Sequence, residues 1–168
     1  MAPRDRDESG RPRNARPRDA LGRLLPAGSE GVPRIPEDLE LSPAESLTHA
    51  QDLLNRGLAF NAHEVLEAAW KNGPDDEKPL WQGLAQLAVG VTHVQRGNRG
   101  GAITLLRRGV GRLREVSRPA PYAVDVAGLI DWAAALVDAL DTNAEVSSAS
   151  LCPALVGHFR DSPPAASG

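Results

Sequence analysis

The 168-residue sequence contains few aromatic residues and one cysteine, and each scarcity excludes a class of protein. Phe, Trp and Tyr make up 4% of the chain, so a core must be built mainly from Leu, Val and Ala. Leu and Ala favour helices, whereas strands favour aromatic and β-branched residues. The composition therefore predicts an all-α protein. The single cysteine, Cys152, excludes an internal disulfide and is compatible with a reducing compartment.

Long apolar runs and a strong excess of one charge are also missing. No stretch of about 18 apolar residues occurs, so we expect no transmembrane helix and no membrane partner. The basic N-terminus is not followed by the apolar segment that a secretory signal requires. The net charge of −3 argues against a protein that binds nucleic acid over its whole surface. These absences predict a cytoplasmic protein.

Composition divides the chain into three parts. Residues 1–36 are rich in Arg and Pro, with six prolines and no periodic apolar pattern, and we expect a disordered arm there. Residues 37–141 carry helical periodicity and form the predicted bundle domain. Residues 142–168 are rich in Ser, Ala and Pro, and we expect a mostly disordered tail.

Apolar periodicity and helix-terminating residues predict about five helices. The first begins with a capping box, in which Ser42 is the N-cap, Pro43 follows and Glu45 reaches back. Asn61 is the predicted cap of the second helix. Because the connections are short, successive helices should be antiparallel neighbours in an up-and-down bundle. The predicted helices cover about residues 43–57, 61–71, 80–95, 99–116 and 124–140.

Polar residues form a stripe on each of two consecutive predicted helices. At 100° per residue, His63, Glu67 and Trp70 project within an arc of about 60° on the second helix. An unpaired buried polar group costs about 1–3 kcal/mol, so the two stripes are expected to pair across one helix–helix seam. The stripe on the third helix consists of Gln82, Gln86 and His93, within an arc of about 40°.

Three interpretations of this polar cluster are open. In the first it is structural, with His63 paired to Glu67 four residues later. In the second, His63, Glu67 and His93 bind a metal, because two histidines and one carboxylate suit Zn or non-haem Fe. Glu64 is then a candidate base, although the motif is His-Glu-x-x-Glu and not the zincin His-Glu-x-x-His. In the third, Glu67 or His63 is the general base of a metal-free site.

The predicted fourth helix and the residues after it, 99–118, are rich in arginine. This segment contains Glu115 as its single acid, which leaves a broad basic face. Such a face could contact phosphates, which predicts a weak nucleic-acid binder as a further alternative. Aromatic side chains for base stacking are missing from the segment, so a solvated helix face is the favoured interpretation.

Several short motifs, covering about residues 45–116, resemble a known family. They are Phe60…His63-Glu64-Val65-Leu66-Glu67…Trp70, Leu80-Trp81-Gln82-Gly83-Leu84-Ala85-Gln86-Leu87-Ala88, His93, Gly97-Asn98 and Gly100-Gly101-Ala102…Leu105-Leu106. Their order and spacing are similar to those of the domain-of-unknown-function 309 family. One departure is Gly-Leu-Ala-Gln at residues 83–86, where the family has Gly-Leu-Ile-Gln, a conservative change.

The resemblance implies an all-helical bundle with no established activity. It also marks His63, Glu64, Glu67, Trp70, Gln82, Gln86 and His93 without assigning chemistry to them. From residues and resemblance together, the leading hypothesis is a non-catalytic interaction or scaffold module that binds an unidentified protein or small molecule. The alternatives are a metal-dependent enzyme, a hydrolase using Zn or Fe at His63, Glu67 and His93, and a weak nucleic-acid binder.

Overall fold

Five α-helices follow one another along the chain in the computed structural model, which describes residues 18–25, 31 and 40–157. Each helix packs mainly against the next one in sequence, with the most extensive contact between the third and fourth. The described part contains two isolated β-bridges but no strand, which confirms the predicted all-α bundle. None of the described helices is long and apolar enough to span a membrane. The helices are α1 (Pro43–Asn55), α2 (Ala59–Asn72), α3 (Lys78–Gln95), α4 (Arg99–Arg114) and α5 (Val126–Asp141).

The predicted capping box at the start of α1 is confirmed. The backbone N–H of Glu45 donates to Ser42 Oγ at 3.2 Å, and the N–H of Ser42 donates to Glu45 Oε1 at 3.1 Å. These two bonds satisfy donors that the first turn of a helix would otherwise leave unpaired. Pro43 occupies the first helical position, where a missing N–H costs nothing.

The predicted start of α2 is wrong. The helix begins at Ala59 after Leu58, whose side chain makes no capping bond, and Asn61 is 4% exposed inside the helix. The reason is the sharp end of α1. Gly57 adopts φ +76°, and the N–H of Leu58 then donates to the carbonyl of Leu53 at 2.8 Å. This turn brings the chain into α2 within two residues, before Asn61 is reached.

Two glycines allow α3 and α4 to approach closely. A Cβ atom added at Gly90 on α3 would lie 2.8 Å from Leu106 Cγ, and one at Gly109 on α4 would lie 3.0 Å from the carbonyl oxygen of Gly83. Leu106 is completely buried and cannot move aside easily. The α3–α4 contact therefore depends on residues without side chains at these two positions.

Part of the predicted N-terminal arm lies against the bundle. In residues 18–25, Arg18 and Leu24 form a β-bridge, and the Arg18 guanidinium lies 4.9 Å from the centroid of the Phe60 ring. Arg96 Nε donates to the carbonyl of Leu21 at 2.8 Å. This segment thus covers the start of α2, at Phe60, and the end of α3, at Arg96. The rest of the predicted arm, apart from residue 31, lies outside the described residues.

Residues 142–157, assigned by the sequence to the tail, pack against α1 and α5. Gln51 Nε2 donates to the carbonyl of Pro153 at 3.0 Å, and Gln51 Oε1 accepts from the N–H of Leu155 at 2.9 Å. Leu155 is 2% exposed and belongs to the core. Trp132 Nε1 on α5 donates to the carbonyl of Ser150 at 2.8 Å. The last part of the predicted tail, residues 158–168, lies outside the described residues.

Candidate functional site

Three charged side chains form a ladder along one face of α2. Glu67 Oε2 lies 2.9 Å from His63 Nε2, and Glu67 Oε1 lies 2.9 Å from Lys71 Nζ. The side chain of His63 is 20% exposed and that of Glu67 is 34% exposed. His63 Nδ1 lies 3.2 Å from the carbonyl oxygen of Phe60. Both ring nitrogens of His63 therefore lie near an oxygen atom that can accept a hydrogen bond.

The ladder holds Glu67 in its charged form. Burial alone raises the pKa of Glu67, but the hydrogen bond from Lys71 and the positive charges of His63 and Lys71 outweigh it. The net effect is a pKa below the ordinary value of 4.5. A carboxylate with a lowered pKa is a weak general base, so the geometry disfavours the predicted base role of Glu67.

His93 lies in the last turn of α3 and has a different partner. Its Nδ1 is 3.1 Å from Nδ2 of Asn98, which can only donate, so the ring nitrogen accepts. Burial lowers the pKa of His93, and the positive charge of Arg96 lowers it further. His93 is therefore a neutral ring that fixes the turn into α4, where Asn98 Oδ1 also accepts from the N–H of Gly101 at 3.1 Å.

The polar atoms at the predicted α2–α3 seam are not fully paired. Trp70 Nε1, a donor, and Gln86 Oε1, an acceptor, are both buried without a hydrogen-bond partner. The side chain of Gln82 is half-buried and makes no hydrogen bond within residues 40–157. The two predicted stripes therefore do not form the continuous network that the sequence suggested. Glu64, the candidate base of the metal hypothesis, is half-buried on α2.

The predicted metal ligands are not brought together. Among the residues that the structure describes, no group of three or more His, Cys, Asp and Glu side chains is arranged to hold a metal ion. His63 and Glu67 pair with each other on α2, whereas His93 bonds to Asn98. The donor set needed for a two-histidine, one-carboxylate site is therefore not assembled by His63, Glu67 and His93.

A cleft of about 740 Å³ opens between the start of α1, the end of α2 and the start of α3. None of the seven residues marked by the sequence for the polar cluster lines it. Its volume is within the range of small-molecule and peptide-side-chain sites. The lining residues are Glu40, Leu41, Pro43, Ser46, Val65, Ala68, Ala69, Asn72, Gly73, Pro74, Glu77, Trp81 and Tyr122.

Glu77 is the best-fixed polar group of this cleft. Its Oε1 accepts from Trp81 Nε1 at 3.1 Å and from the Tyr122 hydroxyl at 2.9 Å, and its Oε2 lies 2.8 Å from the same hydroxyl. The Trp81 and Tyr122 rings are 6.0 Å apart between centroids. The hydrogen bond to Glu77 raises the pKa of Tyr122, with smaller contributions from burial and from the charges of Glu77 and Asp76.

Sequence reasoning missed this cleft. Glu77 lies in a loop that the sequence marks as acidic and exposed, and Tyr122 lies 45 residues further along the chain. Tyr122 is the single tyrosine of the chain, and this scarcity was the one signal that could have singled it out. No periodic pattern connects two loop residues, because their contact depends on the path of α3 and α4 between them.

The arginine-rich segment has the exposed face that the sequence predicted. The helical part ends at Arg114, and Glu115 is its C-cap. Arg112 pairs with Glu115 at 3.6 Å. Four other arginines of α4 are exposed and make no ion pair with any described residue. They are Arg99, Arg107, Arg108 and Arg114.

Comparison with known proteins bears on α1 to α4. Residues 47–105 match the model of a family described as "Domain of unknown function (DUF309)". We call residues 47–105 the DUF309 segment, after the family model that they match. The match confirms the resemblance found in the sequence, and it contains every residue of the predicted polar cluster. No solved structure matches the chain.

A curated relative matches about a third of the chain. It is the uncharacterized protein YpuF of Bacillus subtilis (strain 168), which is 38% identical over 60 residues. The match covers 35% of this chain and 34% of that protein, so the chain spans about a third of the length of its relative. Neither the family description nor the relative's name states an activity.

The DUF309 segment supplies only part of the cleft. Val65, Ala68, Ala69, Trp81 and Glu77 are among the lining residues that lie inside the segment. Other lining residues, including Leu41 and the exposed Tyr122, lie outside it. The cleft is therefore built jointly by the DUF309 segment and by the residues that flank it.

Proposed function

We propose that the protein is a cytoplasmic, non-catalytic interaction module that binds a segment of a partner in the cleft at Glu77, Trp81 and Tyr122. The observation that carries the proposal is that the polar cluster and the cleft are formed by different residues. His63 and Glu67 pair with each other and His93 bonds to Asn98, while the cleft of about 740 Å³ is lined by other residues. A reactive cluster would be expected to line a concave site, and none of these residues lines this cleft.

The polar residues are assigned a structural role in this proposal. The His63–Glu67–Lys71 ladder stabilises the exposed side of α2 through two pairs spaced four residues apart. His93 holds Asn98, which caps α4. In this proposal the ladder stabilises α2, and the bond between His93 and Asn98 fixes the start of α4. Neither role requires a substrate.

A peptide-display selection tests the interaction function directly. The full chain is used as bait for a library of random peptides, with a Tyr122→Ala variant as the matched bait that lacks the exposed aromatic ring of the cleft. We expect peptides that are enriched on the wild type and not on the variant. Failure to enrich any peptide on the wild type, or equal enrichment on both baits when the variant is folded by circular dichroism, would contradict the proposal.

Elemental analysis tests whether the protein is a metal-dependent enzyme and not an interaction module. Untagged protein is purified without chelator beside a His63→Ala/His93→Ala variant, and both are then incubated with Zn²⁺ or Fe²⁺ and dialysed. The interaction module is expected to hold the same small amount of metal in both proteins. Stoichiometric metal in the wild type that is lost in the variant, with hydrolysis of a generic ester or phosphate substrate, would support the metal-dependent hydrolase instead.

A second function, weak binding of nucleic acid, is favoured by the exposed arginines of α4. Arg107, Arg108 and Arg114 are free to neutralise phosphates, because no described acid pairs with them. Such binding should weaken steeply with salt.

The test is fluorescence anisotropy with single-stranded RNA at 50 and 200 mM salt. It compares the wild type and Arg107→Gln/Arg108→Gln with the control Arg56→Gln, which removes an arginine paired with Asp52 on α1. Equal affinity of the wild type and both variants for the RNA would exclude a role of Arg107 and Arg108 in nucleic-acid binding.

A further inference from the structure

We infer that the cleft at Glu77 recognises an arginine side chain presented by a flexible segment of a protein partner. This inference rests on the proposed function and names the chemistry of its partner. Three features of the cleft carry it: a fixed carboxylate with free acceptor positions, an exposed aromatic ring beside that carboxylate, and described lining residues that include acids but no base.

The Glu77 carboxylate is held in place by neutral donors. Trp81 Nε1 and the Tyr122 hydroxyl supply two protons, whereas an ionised carboxylate can accept about four hydrogen bonds. Because Trp81 is 1% exposed, its ring and its bond to Glu77 belong to the core and fix the carboxylate from behind. Glu77 thus keeps its formal charge and has acceptor positions left at the cleft.

The lining of the cleft favours a cation. Glu40 and Glu77 are on its wall, and no Lys, Arg or His is among the described residues that line it. The last residues of α2, Asn72 and Gly73, add the partial negative charge of a helix C-terminus. The start of α1 also borders the cleft, but its positive end is offset by the capping carboxylate of Glu45.

The nearby lysines do not neutralise this charge. Lys78 bonds to Asp75 at 2.8 Å and Lys71 bonds to Glu67 at 2.9 Å, so each is engaged outside the cleft. The bond from Lys78 and its charge lower the pKa of Asp75. A cation from a partner therefore meets Glu77 and Glu40 without competition from a basic side chain among the described residues that line the cleft.

Arginine fits these surroundings better than lysine. Its planar guanidinium donates several hydrogen bonds in fixed directions to a carboxylate and also stacks on aromatic faces. Tyr122 offers such a face, since it is 39% exposed next to Glu77. The apolar floor, which includes Leu41, Val65 and Ala69, can cover the methylene groups of the side chain. The volume of about 740 Å³ leaves room for neighbouring residues of the segment.

The test is fluorescence anisotropy of the full chain with labelled pentapeptides that differ only at the central residue. That residue is arginine, lysine or citrulline, which has the shape of arginine without its charge. We expect the citrulline peptide to bind at least about tenfold more weakly than the arginine peptide, because a charge-assisted hydrogen bond is lost. We expect the lysine peptide to lie between them.

Three variants and one matched control locate the interaction. Glu77→Gln and Glu40→Gln are each expected to weaken binding of the arginine peptide several-fold, whereas Asp131→Asn removes an equal charge from an exposed position on α5 outside the cleft and is expected to have little effect. Glu40 makes no hydrogen bond within the described residues, so its variant tests the inference even if Glu77→Gln unfolds. Tyr122→Ala is expected to weaken binding through loss of the stacking face.

Equal affinity for the arginine and citrulline peptides, or unchanged affinity in both Glu77→Gln and Glu40→Gln, would overturn the inference. The result of the display selection then separates two cases. If enriched peptides bind in the cleft without a basic residue, the interaction function stands and only the arginine preference is wrong. If no peptide is enriched, the proposed interaction function is contradicted as well.

Discussion

At the scale of single residues, the spacing of His63 and Glu67 supports the structural role that we propose for a motif that looks reactive. A histidine and a carboxylate four residues apart on a helix are neighbours, and Lys71 extends the ladder by one further turn. Exposed pairs of this kind contribute about 0.3–0.5 kcal/mol each. The ladder thus accounts for the positions of His63 and Glu67 without a ligand.

Replacing Glu67 by Gln should lower the free energy of unfolding by about 0.5 kcal/mol at pH 7, after allowance for solvent screening of a partly exposed group. Since the folded-state pKa of Glu67 is lowered, its contribution is present above the ordinary value of 4.5 and is lost as pH falls through the lowered pKa. Urea unfolding from pH 7 to pH 3 measures this, with Glu115→Gln as the control. A difference that persists at pH 3 would contradict the account.

Tyr122 offers a direct probe of the cleft, because it is the single tyrosine of the chain. Its pKa is raised above 10.0, chiefly by the hydrogen bond to Glu77. Absorbance titration of tyrosinate should therefore give an apparent pKa above 10.0 in the folded protein and a lower value in Glu77→Gln. The neutral hydroxyl stabilises the fold below pH 10, and this contribution is lost as pH rises through the raised pKa. An identical titration in both proteins would show that the bond is absent in solution.

At the scale of helices, local signals in the sequence identified most elements and their limits. The capping box at Ser42 and Glu45 was predictable because it depends on residues three positions apart. The start of α2 was not predictable from local signals, because it is set by the path of the chain after Gly57 and not by a cap at Asn61. The pairing of His63 with Glu67 follows from spacing, whereas the contact of Glu77 with Tyr122 depends on tertiary structure.

Two glycines of α4 provide a matched test of the α3–α4 packing. A methyl group at Gly109 would lie 2.8 Å from Leu87 Cδ2 and 3.0 Å from the Gly83 carbonyl oxygen, whereas one at Gly111 meets no atom within 4 Å. Gly111→Ala should be neutral or stabilising by up to about 1 kcal/mol through helix propensity. Gly109→Ala should be less stable than Gly111→Ala by about 1–3 kcal/mol because of overpacking.

The measurement for this pair is the urea midpoint of each single variant and of the wild type. The two substitutions add the same atoms to the same helix, two residues apart, so intrinsic helix propensity cancels in the comparison. Equal midpoints for Gly109→Ala and Gly111→Ala would mean that the close contact between α3 and α4 does not exist in solution.

At the scale of the whole molecule, segments outside the helices complete the structure at both ends of the described chain. Residues 18–25 lie on Phe60 and Arg96, and residues 142–157 lie on α1 and α5. Composition suggested solvated segments here, because Pro, Ser and Ala carry little periodic signal. What composition could not reveal is the long-range anchoring, such as the two hydrogen bonds between Gln51 and the backbone at Pro153 and Leu155.

Gln51→Ala should loosen the second of these segments while leaving the helices intact. Loss of both anchoring bonds is expected to increase amide hydrogen exchange at Leu155 about tenfold, since a hydrogen bond contributes about 1 kcal/mol. Asn55→Ala is the control, because it removes a partner of Gln51 at 3.0 Å without touching the backbone of residues 153–155. Unchanged exchange in Gln51→Ala would contradict this account and would indicate that burial of Leu155 and its backbone hydrogen bond from Asp125 hold the segment.

The central claim is that partners bind at the cleft and that the polar cluster of the DUF309 segment is structural. The most direct measurement is an NMR titration of the ¹⁵N-labelled full chain with a peptide enriched in the display selection, following backbone amides and the three tryptophan indoles. We predict that the largest shifts occur at Leu41, Ala69, Tyr122 and the Trp81 indole. Shifts centred on His63, Glu67 and His93 instead would contradict this account.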